Sequence, residues 1–550
     1  MGILRNFLRQ WREKRDGTLE GPALSTEVLN NTYHAENFSG ANGGEMIQNA
    51  VDAAASTVGF NKVVVNGPGP DDVSDSTGSM SDPTWAENAW ELTQHLSIPS
   101  YTYVVFENCY IFLADGTDDN LVRNADFQNG DQYIVIEYQN AVFDGNNLNQ
   151  TEIARSTSDA LVNLGFRFYN VDNLHMHGRG IVRNTNAWGG KIEGVTESSA
   201  SGITWWQNGE TDNMDGIKVL GPADNVTIRD FDGRTGDDMT SANDYDEHLM
   251  DGSGGPVRNV TFENIRRRSS QDGSGNAVRV WQYGNSIVED ITIGTVMHKD
   301  GLQGSAAVSL GFGLGASSFK DFSNITVENV VSNNERGVTI MQPVRNVTID
   351  NIVTKNGENP VNVAAELHGS SISNVSGVDC AAILKVGGLL ADTTVDLGGQ
   401  TNDASLNAAI RVPSGGTVER CDVELGTFDL QKDGLQNGDV LKVESDGGWY
   451  DTNIRGGTIR RADSFLNLQP DSTGHVDNVE IVGTVSTIYA ETGDLSFGPN
   501  MPAFDSAPAH INRSMAWASP SWDPDGDGNG ELVVSDGSSW NEAVDLPNWA

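Results

Sequence analysis

Four segments of this 550-residue chain follow one pattern: NVTIRDF from Asn225, NVTFENI from Asn259, NITVENV from Asn324 and NVTIDNI from Asn346. Degenerate copies start at Asp290 (DITIGTV), Asn374 (NVSGVDC) and Asn478 (NVEIVGT). Between Asn225 and Asn374 successive starts lie 22 to 34 residues apart, a period that marks stacked structural units. Within each full copy apolar residues occupy offsets 1, 3 and 6 from the Asn. Offsets 1 and 3 alternate like a strand, and reaching offset 6 needs a bend. The residue at offset 5 (Asp230, Asn264, Asn329 or Asn351) suits that bend, because Asn and Asp tolerate left-handed backbone. Short Val/Ile/Thr strands joined by Asn, Asp and Gly, with 62 glycines in all, predict an all-β chain. The expected fold is a single-stranded right-handed parallel β-helix. The Asn-Val-Thr triplets also spell glycosylation sequons, but inside the repeat their structural use is the stronger reading.

The remaining segments fit around that solenoid. GGEMIQNAVDAAASTVGF places Met46, Ile47, Ala50, Val51 and Ala54 at helical spacing before a strand at Lys62–Val65. This helix is expected to cap the open sheet end, which would otherwise invite further pairing. The solenoid is expected over residues 43–495. Residues 496–550 read as a Pro-bearing connector and a small β-hairpin module. Residues 1–42 read as an N-terminal segment in which Ile3, Leu4, Phe7, Leu8 and Trp11 form one apolar helical stripe opposite arginines and Lys14. Such a stripe predicts a docking helix. Charges interrupt this segment throughout, unlike the apolar core of a secretory signal.

Composition decides how much weight an aspartate carries. With 76 acidic against 34 basic residues, 24 of them Arg, the formal net charge is -42. That excess is associated with halophiles, while 37% hydrophobic residues are enough for a buried core. It argues against nucleic acid or an anionic membrane as partner, since both require a basic surface. Three scattered cysteines make neither a disulfide framework nor a zinc site, and no apolar run is long enough to span a bilayer.

Against this acidic background, NMDGIKV at residues 213–219 and GDD at 236–238 place Asp215 and Asp237 22 residues apart. That is about one solenoid turn, so the two are expected to stack on adjacent strands. Crowded carboxylates raise the pKa of at least one of their number. In AVRVW, residues 277–281, Val278 and Val280 alternate inward, which turns Arg279 and Trp281 out on one face. Trp205 and Trp206, half a turn before Asp215, are either sugar-stacking indoles or core residues. DPDGDG opens like a calcium loop, with Asp523, Asp525 and Asp527 at alternate positions. Val534 stands where the bidentate Glu belongs and Glu531 falls at position 9. A solvated acidic turn fits better, with Ca2+ as the alternative; no other cofactor is required.

NMDGIKV, GDD and AVRVW resemble the Asn-Thr-Asp, Asp-Asp and Arg-Ile-Lys motifs of the polygalacturonase-type glycoside hydrolases, in the pectin-lyase-like β-helix superfamily. The resemblance covers about 70 residues closely. It implies an inverting mechanism with Asp237 as general acid and Asp215 and Asp238 holding the water. It also implies substrate contacts from Asn213, Arg279 and His248, the histidine available for the family's Gly-His-Gly motif. Trp281 stands where that family carries lysine. The shortened spacing looks more like the β-helix proteins of phage tails and of poorly characterised glycosidases.

Two readings follow. The first is a virion-surface spike or tail-fibre protein of a haloarchaeal virus that binds host-surface glycan, with hydrolysis left open. It would be a homo-oligomer, a trimer by analogy, joined to other virion proteins through residues 1–16. The second is a secreted, halophilic polygalacturonase-like hydrolase.

Overall fold

The computed structural model describes residues 29–71, 88–150, 164–186, 188–207, 214–245, 254–268, 275–299, 305–312, 321–333, 336–400, 408–429, 439–444 and 446–455, together with short strands outside these ranges. The chain divides into two compact units, residues 1–335 and 336–550.

In the first unit the strands are stacked in parallel, each turn of chain laid on the one before. The repeat sets the register: Val226 pairs with Val260, then Ile291, then Ile325. Ile228 pairs in the same way with Phe262, Ile293 and Val327. All of these side chains are buried, so offsets 1 and 3 form continuous apolar columns and the chain is a parallel β-helix. Offset 6 supplies a third column, Phe231 against Ile265. The bend at offset 5 is left-handed as expected, with φ of 56° at Asp230 and 54° at Asn264. Offset 0 is left-handed too, with φ of 56° at Asn225 and 53° at Asn259, so each copy carries two such bends.

The side chains at these bends tie turn to turn. Asn259 Nδ2 donates to Asp224 Oδ1 at 2.7 Å, Asn264 Nδ2 to Asp230 Oδ1 at 2.6 Å, and Asn225 Nδ2 to Glu197 Oε2 at 2.7 Å. Part of the acidic excess is therefore structural, accepting an amide from the next turn.

At the start of the first unit, Leu29–His34 already pairs in parallel with Phe60–Asn66, which pairs with Thr102–Glu107. The helix Gly43–Ala55 buries Ile47, Ala50, Val51 and Ala54 against these strands and against Trp90–Leu92. Asn42 caps it by accepting from Glu45 N at 2.9 Å, and Glu45 Oε2 accepts from Ala41 N at 2.8 Å. Ile3, Leu4, Phe7, Leu8 and Trp11 lie outside the described residues. The expected helix over residues 1–16 is corrected at its end, where Arg12–Glu13 is a strand antiparallel to Leu19–Glu20. A cross-strand partner satisfies those backbone groups in place of the i→i−4 bonds of a helix.

The second unit repeats the parallel stacking from Arg336–Ile340 to Glu480–Val482. Its left-handed bends include Asn346 and Asn351, with φ of 54° and 57°. Beyond it, Ala503–Phe504, Met515–Ala518, Glu531–Ser535 and Trp540–Glu542 form a four-stranded sheet whose last three strands are antiparallel. Asp523, Asp525 and Asp527 lie outside the described residues. No described helix is long and apolar enough to cross a membrane.

Candidate functional site

The start of the strand Ile217–Arg234 and three short strands of the first unit, Thr240–Asn243, Val278–Trp281 and Ala306–Leu310, build the site's floor. Ile217 pairs with Thr240, Val278 and Val308 in turn, and Val219 with Ala242, Val280 and Leu310. These side chains face the core. The intervening column, Lys218, Ser241, Arg279 and Ser309, therefore faces out. Arg279 and Trp281 share that outer face, as the alternation of AVRVW requires.

The carboxylates sit where the chain turns into these strands. Asp215, Asp238 and Asn276 each stand two residues before a member of the Ile217–Thr240–Val278 column, so these three occupy equivalent positions on successive turns. The expected stacking of Asp215 on Asp237 is thus corrected by one residue. The turn from Ile217 to Thr240 is 23 residues long, which brings Asp238 rather than Asp237 beside Asp215.

The three aspartates have different surroundings. Asp238 is 1% exposed; its Oδ1 accepts from Asn276 N at 2.8 Å and Asn276 Nδ2 at 2.9 Å, and its Oδ2 lies 3.1 Å from Arg279 Nη1. Asp215, also 1% exposed, has Lys218 Nζ at 3.4 Å, and neither of its oxygens has a hydrogen-bond partner among the described residues. Burial drives its pKa well above the ordinary carboxylate value; Lys218 opposes this, and Asp237 and Asp238 reinforce it. Asp237 keeps an open edge, with 24% of its side chain exposed and Arg279 Nη2 at 3.9 Å. Burial first, then the neighbouring charge of Asp238, push its pKa up to about 6 against the pull of Arg279. Burial alone would lower the Arg279 pKa, but Asp238, Asp237 and Asp215 outweigh it and leave that pKa raised.

The loop bearing Asp237 is pinned from the interior. Thr235 Oγ1 donates to the Asp237 carbonyl at 2.7 Å and accepts from Arg267 Nε at 3.3 Å. Arg267, buried in the core, also donates from Nη1 to His298 Nε2 at 2.8 Å. Burial and the Arg267 charge hold His298 well below its ordinary pKa, so it is the neutral acceptor of that bond. Gly236 N donates to the Met214 carbonyl at 2.8 Å and joins the Asp237 loop to the one bearing Asp215.

Aromatic rings pack on the two cations that pair with these carboxylates, and Trp281, though on the outer face, is buried among them. Trp281 stacks with Phe312 at 6.0 Å, and the Arg279 guanidinium lies 4.9 Å from the Phe312 ring centre. Lys218 Nζ sits 3.7 Å over Trp188 and 5.5 Å over Trp281. Tyr245 and Tyr283 stack at 5.7 Å with their planes 3° apart. Asp244 fixes the Tyr283 loop by accepting from the backbone N of Tyr283, Gly284 and Ser286 at 2.7, 3.1 and 3.0 Å. Phe312 is 39% and Tyr283 46% exposed. A buried cationic and acidic cluster with exposed rings beside it can bind a sugar by stacking while presenting one titrating carboxyl.

The two tryptophans of the sequence reading part company. Trp205 is a core residue, fully buried and edge-on to Phe231 at 5.6 Å. Gly189 leaves the space for it, since a Cβ there would come within 2.4 Å of the indole. Trp206 points out, 40% exposed, with the Arg234 guanidinium 5.7 Å from its ring centre. Its strand pairs Trp206 with Arg234, three residues before Asp237. Asn213 and His248 lie outside the described residues. Lys218, Asn276, Trp188, Tyr245, Tyr283 and Phe312 escaped the sequence reading. The first two were within reach, Lys218 from the alternation of NMDGIKV and Asn276 from its place two residues before Val278. Phe312 had no local signal. Among the described residues no group of three His, Cys, Asp or Glu is placed to hold a metal ion.

No family model matches the chain, and no curated protein does. Among solved structures it is similar to the A-module of the Azotobacter vinelandii mannuronan C-5 epimerase AlgE6, at 13% identity over 82% of this chain and 99% of that one, with a TM-score of 0.40. It is similar to the family 28 exopolygalacturonase of Yersinia enterocolitica, at 13% identity over 86% and 82% of the two chains, TM-score 0.40. It is also similar to the tailspike protein of E. coli bacteriophage HK620, solved with a hexasaccharide, at 10% identity over 88% and 84%, TM-score 0.41. At these values the likenesses assign no activity, and the β-helical assignment stands on the strand register.

Proposed function

We propose that this chain is a glycan-recognition protein whose first unit cleaves glycosidic bonds at Asp237. One observation carries the reading: a partly open carboxyl with a pKa of about 6 beside an arginine-locked aspartate, the arginine itself packed on the exposed Phe312 ring. A carboxyl of that pKa is protonated in slightly acidic solution and can give its proton to the leaving glycosidic oxygen as that C–O bond breaks, while a water adds to the anomeric carbon and releases its own proton to solvent. Asp238, ion-paired and fixed by Asn276, supplies a negative charge beside the reacting centre. Both Asp215 and Asp238 act from below, since side chains 1% exposed have no access to the substrate's water. Phe312 and Tyr283, both exposed, provide faces on which sugar rings stack, and the buried Trp281 backs Phe312.

The setting we propose is the surface of a virus of a halophilic archaeon, in a homo-oligomer that meets host glycan. The acidic composition and the apolar stripe within residues 1–16 support it. A secreted halophilic hydrolase is the alternative, and location on or off a purified particle separates the two. The chemistry is tested with Asp237→Asn on host-surface glycan. Glycan shortening should fall by at least a thousandfold while binding stays within a few-fold of wild type. Wild-type protein that binds and never shortens the glycan leaves a receptor-binding role alone.

A further inference from the structure

Asp237 stands at the centre of a corner. Residues Thr235 to Met239 link Arg234, at the end of one strand, to Thr240, at the start of the next, and Asp237 is the middle one. Beyond the corner lie Ser241 and its register partner Arg279, whose guanidinium packs on Phe312 at 4.9 Å from the ring centre. Before the corner Arg234 repeats that arrangement. Its register partner is Trp206, and its guanidinium lies 5.7 Å from the centre of that ring. Each flank of the carboxylates thus carries an arginine packed on an aromatic ring, and the two rings are exposed alike, Phe312 by 39% and Trp206 by 40%.

Exposure of this kind is confined to few places. Among the described residues the large apolar side chains that stand well exposed are Val58, Leu148, Trp206, Tyr283, Phe312 and Val331. The three aromatic ones belong to the turns of chain that carry Lys218, Arg279 and Ser309, the outward column of the site. Trp206 is also held in place. Arg234 beside it donates from Nε to the Gln207 carbonyl at 3.0 Å, and Trp205 before it is anchored in the core against Phe231. A ring fixed in advance loses little freedom when a ligand stacks on it. Three residues of chain span at most about 11 Å and one strand step about 4.8 Å, so the Cα of Trp206 lies within about 16 Å of that of Asp237. A Trp beside an Arg suits a protein partner as well as a sugar, but the matching pair on the other flank favours a ligand that spans the corner.

We propose that Trp206, braced by Arg234, is a sugar-stacking subsite on the flank of Asp237 opposite Phe312. The glycan then lies across the corner, with the bond offered to Asp237 between two aromatic platforms. This rests on the glycan reading above and adds the path of the chain through the site.

The test uses full-length protein carrying Asp237→Asn, so that no glycan is consumed. The probe is extracted host-surface glycan, cut to fragments by partial acid hydrolysis. In calorimetric titrations Trp206→Ala should weaken binding roughly tenfold, and Trp206→Phe, which keeps a ring, should recover most of the loss. Val331→Ala removes a similarly exposed side chain four ladder steps along the stack and should change nothing. With Asp237 restored, Trp206→Ala should raise KM by a similar factor and leave kcat within a few-fold, because a ring that stacks equally in ground and transition states contributes uniform binding. Thermal unfolding checks that each variant is folded. A dissociation constant unchanged by Trp206→Ala overturns the proposal. So does a fall in kcat at unchanged KM, which would make Trp206 a support of the Asp237 loop. Unchanged glycan binding with loss of self-association also overturns it, by making the ring a contact between copies. Wild-type protein that neither binds nor shortens the glycan removes the reading on which this rests, whereas one that shortens it with Trp206→Ala unimpaired loses this subsite only.

Discussion

Asp237 makes two demands on pH, and they point the same way. In the proposed role of proton donor it would work below its pKa of about 6, so any glycan cleavage should fall as pH rises through that value, seen in rates from pH 4 to 8. For stability the raised carboxyl has the same sign. The folded state holds its proton up to about pH 6, whereas the unfolded chain releases it near 3.8, so the favourable protonated interaction is lost as pH climbs through that window. Asp237→Asn should therefore be more stable than wild type at pH 8 by about 1 to 3 kcal/mol and no more stable at pH 3. Denaturant midpoints at the two pH values check this, and a variant less stable at both would mean that Asp237 is held by favourable contacts instead.

At the scale of the strand and its bends, the left-handed asparagines carry the stacking. Asn264, with φ of 54° and a 2.6 Å bond to Asp230, should cost about 1 to 3 kcal/mol when changed to Ala. Asn264→Gly, free of the backbone cost, should recover part of that loss in chemical denaturation. The apolar offsets 1, 3 and 6 were legible in sequence because burial acts directly on side-chain type. The left-handed bend at offset 0 was less so, since an Asn opening a strand has several other uses. The site was legible only along the chain. Arg279 and Trp281 followed from alternation, whereas the pairing of Asp215 with Asp238 depends on how many residues close a turn. The meeting of Trp206 with Arg234 was hidden for the same reason, because register joins residues whose separations in sequence vary from turn to turn. Trp205 and Trp206, adjacent in sequence, differ by the face of one strand.

Across the whole chain, a charge of -42 predicts a salt requirement. The unfolding midpoint should rise steadily with potassium chloride as screening relieves self-repulsion, and a flat response would remove the halophilic reading. The three cysteines supply a separate probe of packing. Cys109, Cys380 and Cys421 are buried and free, and burial pushes the thiols of Cys380 and Cys421 up to about 11 and that of Cys109 higher still. None should react with a thiol reagent until the protein unfolds.

The stretches paired at the site are only three or four residues long, yet the chain takes 23 residues to go from Ile217 to Thr240, 38 from Thr240 to Val278 and 30 from Val278 to Val308. The ladder thus counts only the residues inside it and is indifferent to the length of chain between rungs. A few residues inserted between Tyr245 and Gly254 should therefore leave Arg279 in its place beside Ser241. Binding specificity in such a protein can diversify by insertion, much as an antibody varies its loops, while the carboxylates beneath keep their positions.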